Sequence, residues 1–122
     1  MTPPGLAPSA ENGRAAGSQR ALRPPAGMAT IGVLTLELRL NHSHSLKDKR
    51  SVVQGLKDRL RRKFNVAVAE IDCQDLWQRA VVAAVTVSGD HSHAAQVLQL
   101  VEREAAMILG GDLVEATVEW LE

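Results

Sequence analysis

The chain predicts a small α+β domain of the split βαβ kind, in the order strand, helix, strand, strand, helix, strand. Three observations predict it. Two stretches alternate apolar and polar residues with period 2, at Ile31–Leu40 and Val114–Trp120. Two others repeat apolar residues at helical spacing behind a capping residue. Between the helical stretches lie two short apolar runs joined by a polar connection, which reads as a pair of strands.

The elements follow in order. In Ile31–Leu40, Leu34, Leu36, Leu38 and Leu40 alternate with Thr35, Glu37 and Arg39, the pattern of a half-buried first strand. Ser45, followed three residues later by Asp48, forms a capping box opening a helix over residues 46–63, whose seam is Val53, Leu56, Leu60 and Phe64. Val66–Asp72 is the second strand. A polar connection through Gln74 and Asp75 leads to the third, Ala80–Val87, apolar on both faces. Asp90 caps a second helix with Val97, Leu98, Val101, Ala105 and Ile108 on its apolar face, and Gly110-Gly111 ends it. Val114, Ala116, Val118 and Trp120 mark the fourth strand. This is the ferredoxin-like (βαββαβ) arrangement, with a four-stranded antiparallel or mixed sheet and both helices on one face. Right-handed crossovers place the first and third strands side by side in the centre, and parallel orientation is expected for them.

One domain fits in 122 residues. Residues 1–27 hold all five prolines and four of the nine glycines and almost no large apolar residue, so they are expected to form a disordered N-terminal extension, with the domain at 28–122. The lone Cys73 excludes an internal disulfide. No apolar run suits a signal peptide or a membrane span, and a cytoplasmic location is expected.

The net charge of zero conceals an asymmetry: residues 1–40 carry +2, residues 41–63 carry +6 and residues 64–122 carry −8. At about 100° per residue, Lys47, Arg50, Lys57 and Arg61 form one stripe beside the first helix's seam, with Gln54 in line. Cations so concentrated attract phosphates, although long basic stems also cover core edges on ordinary solvated helices. Two His-x-His pairs, His42/His44 and His91/His93, follow the first and third strands. If those strand ends are neighbours, four imidazoles converge near two helix N-termini, as a metal site or, with Lys47, an anion site; exposed loop residues are the simpler alternative. Glu70, Asp72 and Asp75 gather near Trp77 and Arg79, and are read as a charged turn with Trp77 packed at a core edge. No nucleotide-binding glycine loop, nucleophile elbow or zinc-finger spacing occurs, so no cofactor, resident metal or enzyme activity is expected. The central strands, Ile31–Leu40 and Ala80–Val87, lack the aromatics on which single-stranded RNA stacks in RNA-recognition motifs, so RNA, if bound, is expected on the helix.

The stretches HSLKDKRSVV, LKDRLRRKFNVAVAE and DLWQRA, in this order and spacing, resemble the YlxP-like family of small bacterial proteins, from Met28 to near Leu121. The resemblance implies a ferredoxin-like fold, no established activity, and genes often near those of transcription and translation factors, including a ribosome-binding factor. Two readings follow. The first is a non-catalytic protein that binds structured RNA or the ribosome through the first helix. The second is a protein-interaction or homodimerisation module, using the basic helix against an acidic partner or the uncovered sheet face against a second copy.

Overall fold

The computed structural model describes residues 29–121; the predicted extension, residues 1–27, lies outside the described residues. Six elements follow in the expected order: β1 (Thr30–Arg39), α1 (Leu46–Lys63), β2 (Ala67–Asp72), β3 (Arg79–Ser88), α2 (His91–Leu109) and, after a 3₁₀ turn at Gly110–Asp112, β4 (Leu113–Leu121). The sheet order is β2-β3-β1-β4 and every pairing is antiparallel. This is the ferredoxin-like fold.

The expectation that β1 and β3 run parallel is corrected. A helical crossover returns the chain in the same direction, which makes β1 and β2 parallel to each other but not adjacent. The β2–β3 connection then reverses the chain, so β3, lying between them, runs against both. The register puts Thr30 opposite Ser88 and Arg39 opposite Arg79. The end of β1 therefore lies at one end of the sheet and the end of β3 at the other, about 30 Å apart for strands of this length.

Ser45 caps α1 as the sequence requires: the Asp48 amide donates to Ser45 Oγ at 3.0 Å, and the Asp48 carboxylate accepts from the His44 amide at 2.9 Å. Asp90 likewise accepts from Ser92 N at 3.0 Å and opens α2. Both helices cover one sheet face, α1 against β2 and α2 against β1, β3 and β4. Between them and the sheet lies the core of Leu34, Leu36, Leu38, Val53, Leu56, Leu60, Val82, Leu98 and Val101. On α2 the seam differs at one position: Ile108 is exposed and Leu109 is buried in its place, at the helix end where the chain turns into Gly110.

Gly32 on β1 is a packing requirement. A Cβ there would come within 2.6 Å of the Trp120 ring and 2.7 Å of a Leu98 methyl. Trp120 of β4 thus lies over the bare backbone of β1, its ring centroid 4.2 Å from that of His91. At the opposite end of β4 the pairing with β1 shifts register between Glu37 and Leu38, so Leu113, not Val114, turns toward the core.

Candidate nucleic-acid interface

Seven of the eight basic residues of the charged segment have three different fates, set by their angle around α1, and the eighth, Arg62, is exposed. Lys49 falls on the apolar seam, four residues before Val53, and its side chain is fully buried. A buried ammonium is tolerated only if its protons find acceptors. Here Nζ donates to the carbonyls of Cys73 at 2.6 Å, Gln74 at 3.1 Å and Arg79 at 3.3 Å, and pairs with Glu70 Oε2 at 2.9 Å. These bonds tie the start of α1 to the β2–β3 connection, where Cys73 adopts a left-handed φ of 64°. Cys73 is thus a turn residue whose carbonyl is the nearest acceptor of Lys49. The expected acidic group is dispersed accordingly, with Glu70 turned to Lys49 and Asp72 accepting from its neighbour's amide at 2.8 Å.

Arg59 and Lys63 lie on the flank of α1 that meets α2. Both close on one carboxylate: Arg59 Nε donates to Glu104 Oε2 at 3.0 Å and Lys63 Nζ to Glu104 Oε1 at 2.8 Å. The Lys63 hydrogen bond is the main reason the Glu104 carboxyl is held below its ordinary value, against the opposing effect of desolvation.

The predicted stripe occupies the other flank, along the β2 edge. Lys47, Arg50 and Arg61 are exposed and Lys57 is half-buried. Arg61 is engaged, donating to Asp58 Oδ1 at 3.1 Å and to the outward carbonyl of Val68 at 3.4 Å. Gln54, in line with the stripe, donates to the same Asp58 oxygen at 2.8 Å, and this bond, more than Arg61, lowers the Asp58 pKa. Among the described residues Lys47, Arg50 and Lys57 make no hydrogen bond or ion pair. The stripe therefore consists of three uncommitted cations and one, Arg61, that also shields a sheet edge.

The four histidines do not converge. His42 and His44 lie beyond β1, at the Arg39–Arg79 end, whereas His91 and His93 begin α2 at the Thr30–Ser88 end. Because the central strands are antiparallel, the two helix N-termini are also at opposite ends, and neither a four-imidazole site nor a shared anion site is formed. Among the described residues no three His, Cys, Asp or Glu side chains are grouped to hold a metal ion.

Trp77 departs from the sequence reading as well. It is 53% exposed rather than packed at a core edge. The connection presenting it is braced from below: Leu40 N donates to the Gln78 carbonyl at 2.9 Å, and Gln78 Nε2 donates to the carbonyls of Asn41 at 3.2 Å and Ser43 at 3.0 Å. Trp77, Leu76, Gln78 and Arg79 border an open cleft of about 440 Å³ with Arg39 and Asn41. Sequence reasoning missed this cleft because it depends on β1 and β3 ending and beginning side by side. The uncovered sheet face carries exposed Ile31, Ile71, Val87 and Leu121, with Glu115 and Glu119 along β4. No helix of the described residues is long and apolar enough to cross a membrane.

Comparison with known proteins agrees with this architecture. The family described as "Protein of unknown function (DUF503)" matches residues 31–118. The "Uncharacterized protein YlxP" of Bacillus subtilis (strain 168) is 37% identical over 93 residues, covering 74% of this chain and 98% of that protein. Among solved structures, the de novo designed protein Foldit4 superposes with a TM-score of 0.50 at 10% identity, covering 77% of this chain and 97% of its own, a likeness of fold alone. A dimeric ferredoxin-like protein of unknown function from Thermobifida fusca has a TM-score of 0.44 at 19% identity, over 76% of this chain and 90% of that one, too low to bear on how this chain assembles.

Proposed function

The chain belongs to the DUF503, YlxP-like family, and from that premise we propose that it is a non-catalytic cytoplasmic protein that binds structured RNA or the ribosome through the free flank of α1. The observation that supports this reading is the state of Lys47, Arg50 and Lys57. They stand along one edge of the helix with no partner among the described residues, while the cations of the opposite flank are neutralised by Glu104. A row of unneutralised cations at helical spacing costs self-repulsion and contributes nothing to the core, and it matches the spacing-tolerant attraction of a phosphate backbone. Contacts of this type position a protein on RNA by charge and shape, without reading sequence.

Fractionating native extract on a density gradient tests the proposal. The protein should travel with ribosomal particles or with RNA at low salt and leave them as salt rises. A chain that stays at the top of the gradient at every salt concentration would exclude it.

A second reading, self-association, is favoured by the uncovered sheet face. Val87 and Leu121 there are 58% and 54% exposed, flanking Ile31 in register, and contiguous apolar surface of this kind marks an interface. It is compatible with RNA binding because it uses the opposite side of the domain from α1. Sedimentation should then show a dimer at micromolar concentration, and a monomer throughout would remove this reading.

A further inference from the structure

We propose that the cleft formed by the end of β1 and the β2–β3 connection seats one unstacked nucleotide of single-stranded RNA, its base against Trp77 and its phosphate between Arg39 and Arg79. The proposal rests on the RNA reading of α1 and names a second, chemically different contact at the same end of the domain.

Three features carry it. Arg39 and Arg79 are direct cross-strand partners. Like charges so placed sit about 5 Å apart at Cβ and destabilise a sheet unless something neutralises them. Among the described residues neither guanidinium has a carboxylate within 4.0 Å: Glu37, two residues along the same strand face, and Asp75, beside Leu76, close no ion pair with either. Two arginines at paired register positions that both border the cleft can converge their guanidinium donors on one phosphate.

The second feature is the indole. Trp77 is exposed on a connection whose backbone is fixed by the Lys49 ammonium and by Gln78, so the chain that carries its ring need not be ordered on binding. An exposed aromatic on a braced connection offers a stacking face for a base, which any nucleobase can use. The third feature is concavity: at about 440 Å³ the cleft falls within the size range of small-ligand sites, and Asn41 and Gln78 bring amide groups to its wall. An acidic peptide would satisfy the guanidinium pair and leave the indole face without a partner. A nucleotide satisfies both. The absence of aromatics from the two central strands does not count against this site, because the aromatic here stands at the end of the sheet and not on its face.

The test is a fluorescence and affinity titration of the full chain with a single-stranded RNA hexamer, with an RNA duplex and a polyglutamate peptide in parallel. The hexamer should quench tryptophan emission. In Trp77→Leu the quenching should vanish, although Trp120 remains, and hexamer affinity should fall on the order of tenfold, as for loss of one stacked base. Trp77→Phe should restore most of it. Arg39→Gln with Arg79→Gln should flatten the logarithmic salt dependence of hexamer binding by ~0.7 per residue. Thermal melting checks that each variant is folded, which the exposure of Trp77 favours. The proposal is overturned if folded Trp77→Leu binds the hexamer as wild type does, or if polyglutamate quenches the emission as strongly. The two sites fail separately. Loss of hexamer binding in Trp77→Leu with duplex binding unaffected by Lys47→Gln, Arg50→Gln and Lys57→Gln would leave the cleft standing and remove the helix reading; the reverse result would remove the cleft alone.

Discussion

The two flanks of α1 carry the same kind of residue and use it in opposite ways. Toward α2, Arg59 and Lys63 converge on the nearly buried carboxylate of Glu104 and join the two helices. Toward the β2 edge, Lys47, Arg50 and Lys57 make no hydrogen bond or ion pair among the described residues, whereas Arg61 is drawn back to Asp58 and the Val68 carbonyl. Between the flanks, on the seam itself, Lys49 is buried and saturated. The difference shows that the charge of this segment is three quantities added together. One part holds a loop, one holds a helix pair, and of the remainder Arg61 is bound to its own domain while Lys47, Arg50 and Lys57 are uncommitted among the described residues.

The comparison breaks first at Lys49. Lys49→Met keeps the length of the side chain but leaves the Glu70 carboxylate without its counter-charge and removes the hydrogen bonds to the carbonyls of Cys73, Gln74 and Arg79, and breaking a buried pair in this way costs about 3–5 kcal/mol. Urea unfolding should show the loss, with the β2–β3 connection exchanging its amide hydrogens sooner. If stability is unchanged, Lys49 belongs with the free cations and the threefold division is wrong.

An ordinary packing defect sets the scale beside it. Gly32→Ala drives a Cβ into the Trp120 ring and Leu98, and overpacking of this kind costs about 1–3 kcal/mol. Less loss than this in thermal melting would mean that β4 shifts freely against β1.

The paired flank should show itself in acid. The Lys63 hydrogen bond holds the Glu104 carboxyl below its ordinary value of 4.5, so the folded state binds its proton later than the unfolded chain. The resulting stability is present above that value and is lost as pH falls through the depressed one. Glu104→Gln should therefore be less stable than wild type at neutral pH and indistinguishable from it in acid. A gap that persists at low pH would assign the effect to packing instead of charge. Lys47→Gln, Arg50→Gln and Lys57→Gln together, on the free flank, should change stability by less than about 0.5 kcal/mol at any pH, as surface substitutions do.

Much of the fold was legible because it is written in local patterns. Leu34 to Leu40 alternate, Ser45 and Asp90 cap, and Gly110 ends α2, and each of these acts through its sequence neighbours. Strand direction was not local. It depends on which strands become neighbours after the chain reverses at Cys73, and a parallel β1 and β3 would bring together four histidines that in fact lie at opposite ends. The basic stripe was legible as a stripe, but its commitments were not, since Arg61 is engaged by an acid on its own helix and by a strand carbonyl. Two signals were present and unread. Lys49 falls in step with Val53 and Leu60, and Glu104 sits between Val101 and Ala105, so each is a charge on an apolar seam and calls for a buried partner. Trp77 gave no such signal, because its exposure follows from the tertiary bracing of the connection by Gln78 and Lys49.

The central claim is that the two flanks of α1 differ in availability, and the salt dependence of RNA affinity measures that directly. Wild type, the free-flank variant Lys47→Gln, Arg50→Gln, Lys57→Gln and the paired-flank variant Arg59→Gln, Lys63→Gln would be titrated with one structured RNA across a range of salt. The slope of log affinity against log salt should flatten by roughly 0.7–0.9 for each phosphate that the protein no longer neutralises. The account predicts that flattening in the free-flank variant and an unchanged slope in the folded paired-flank variant. Equal slopes in the two variants, or a greater change on the paired flank, would contradict it.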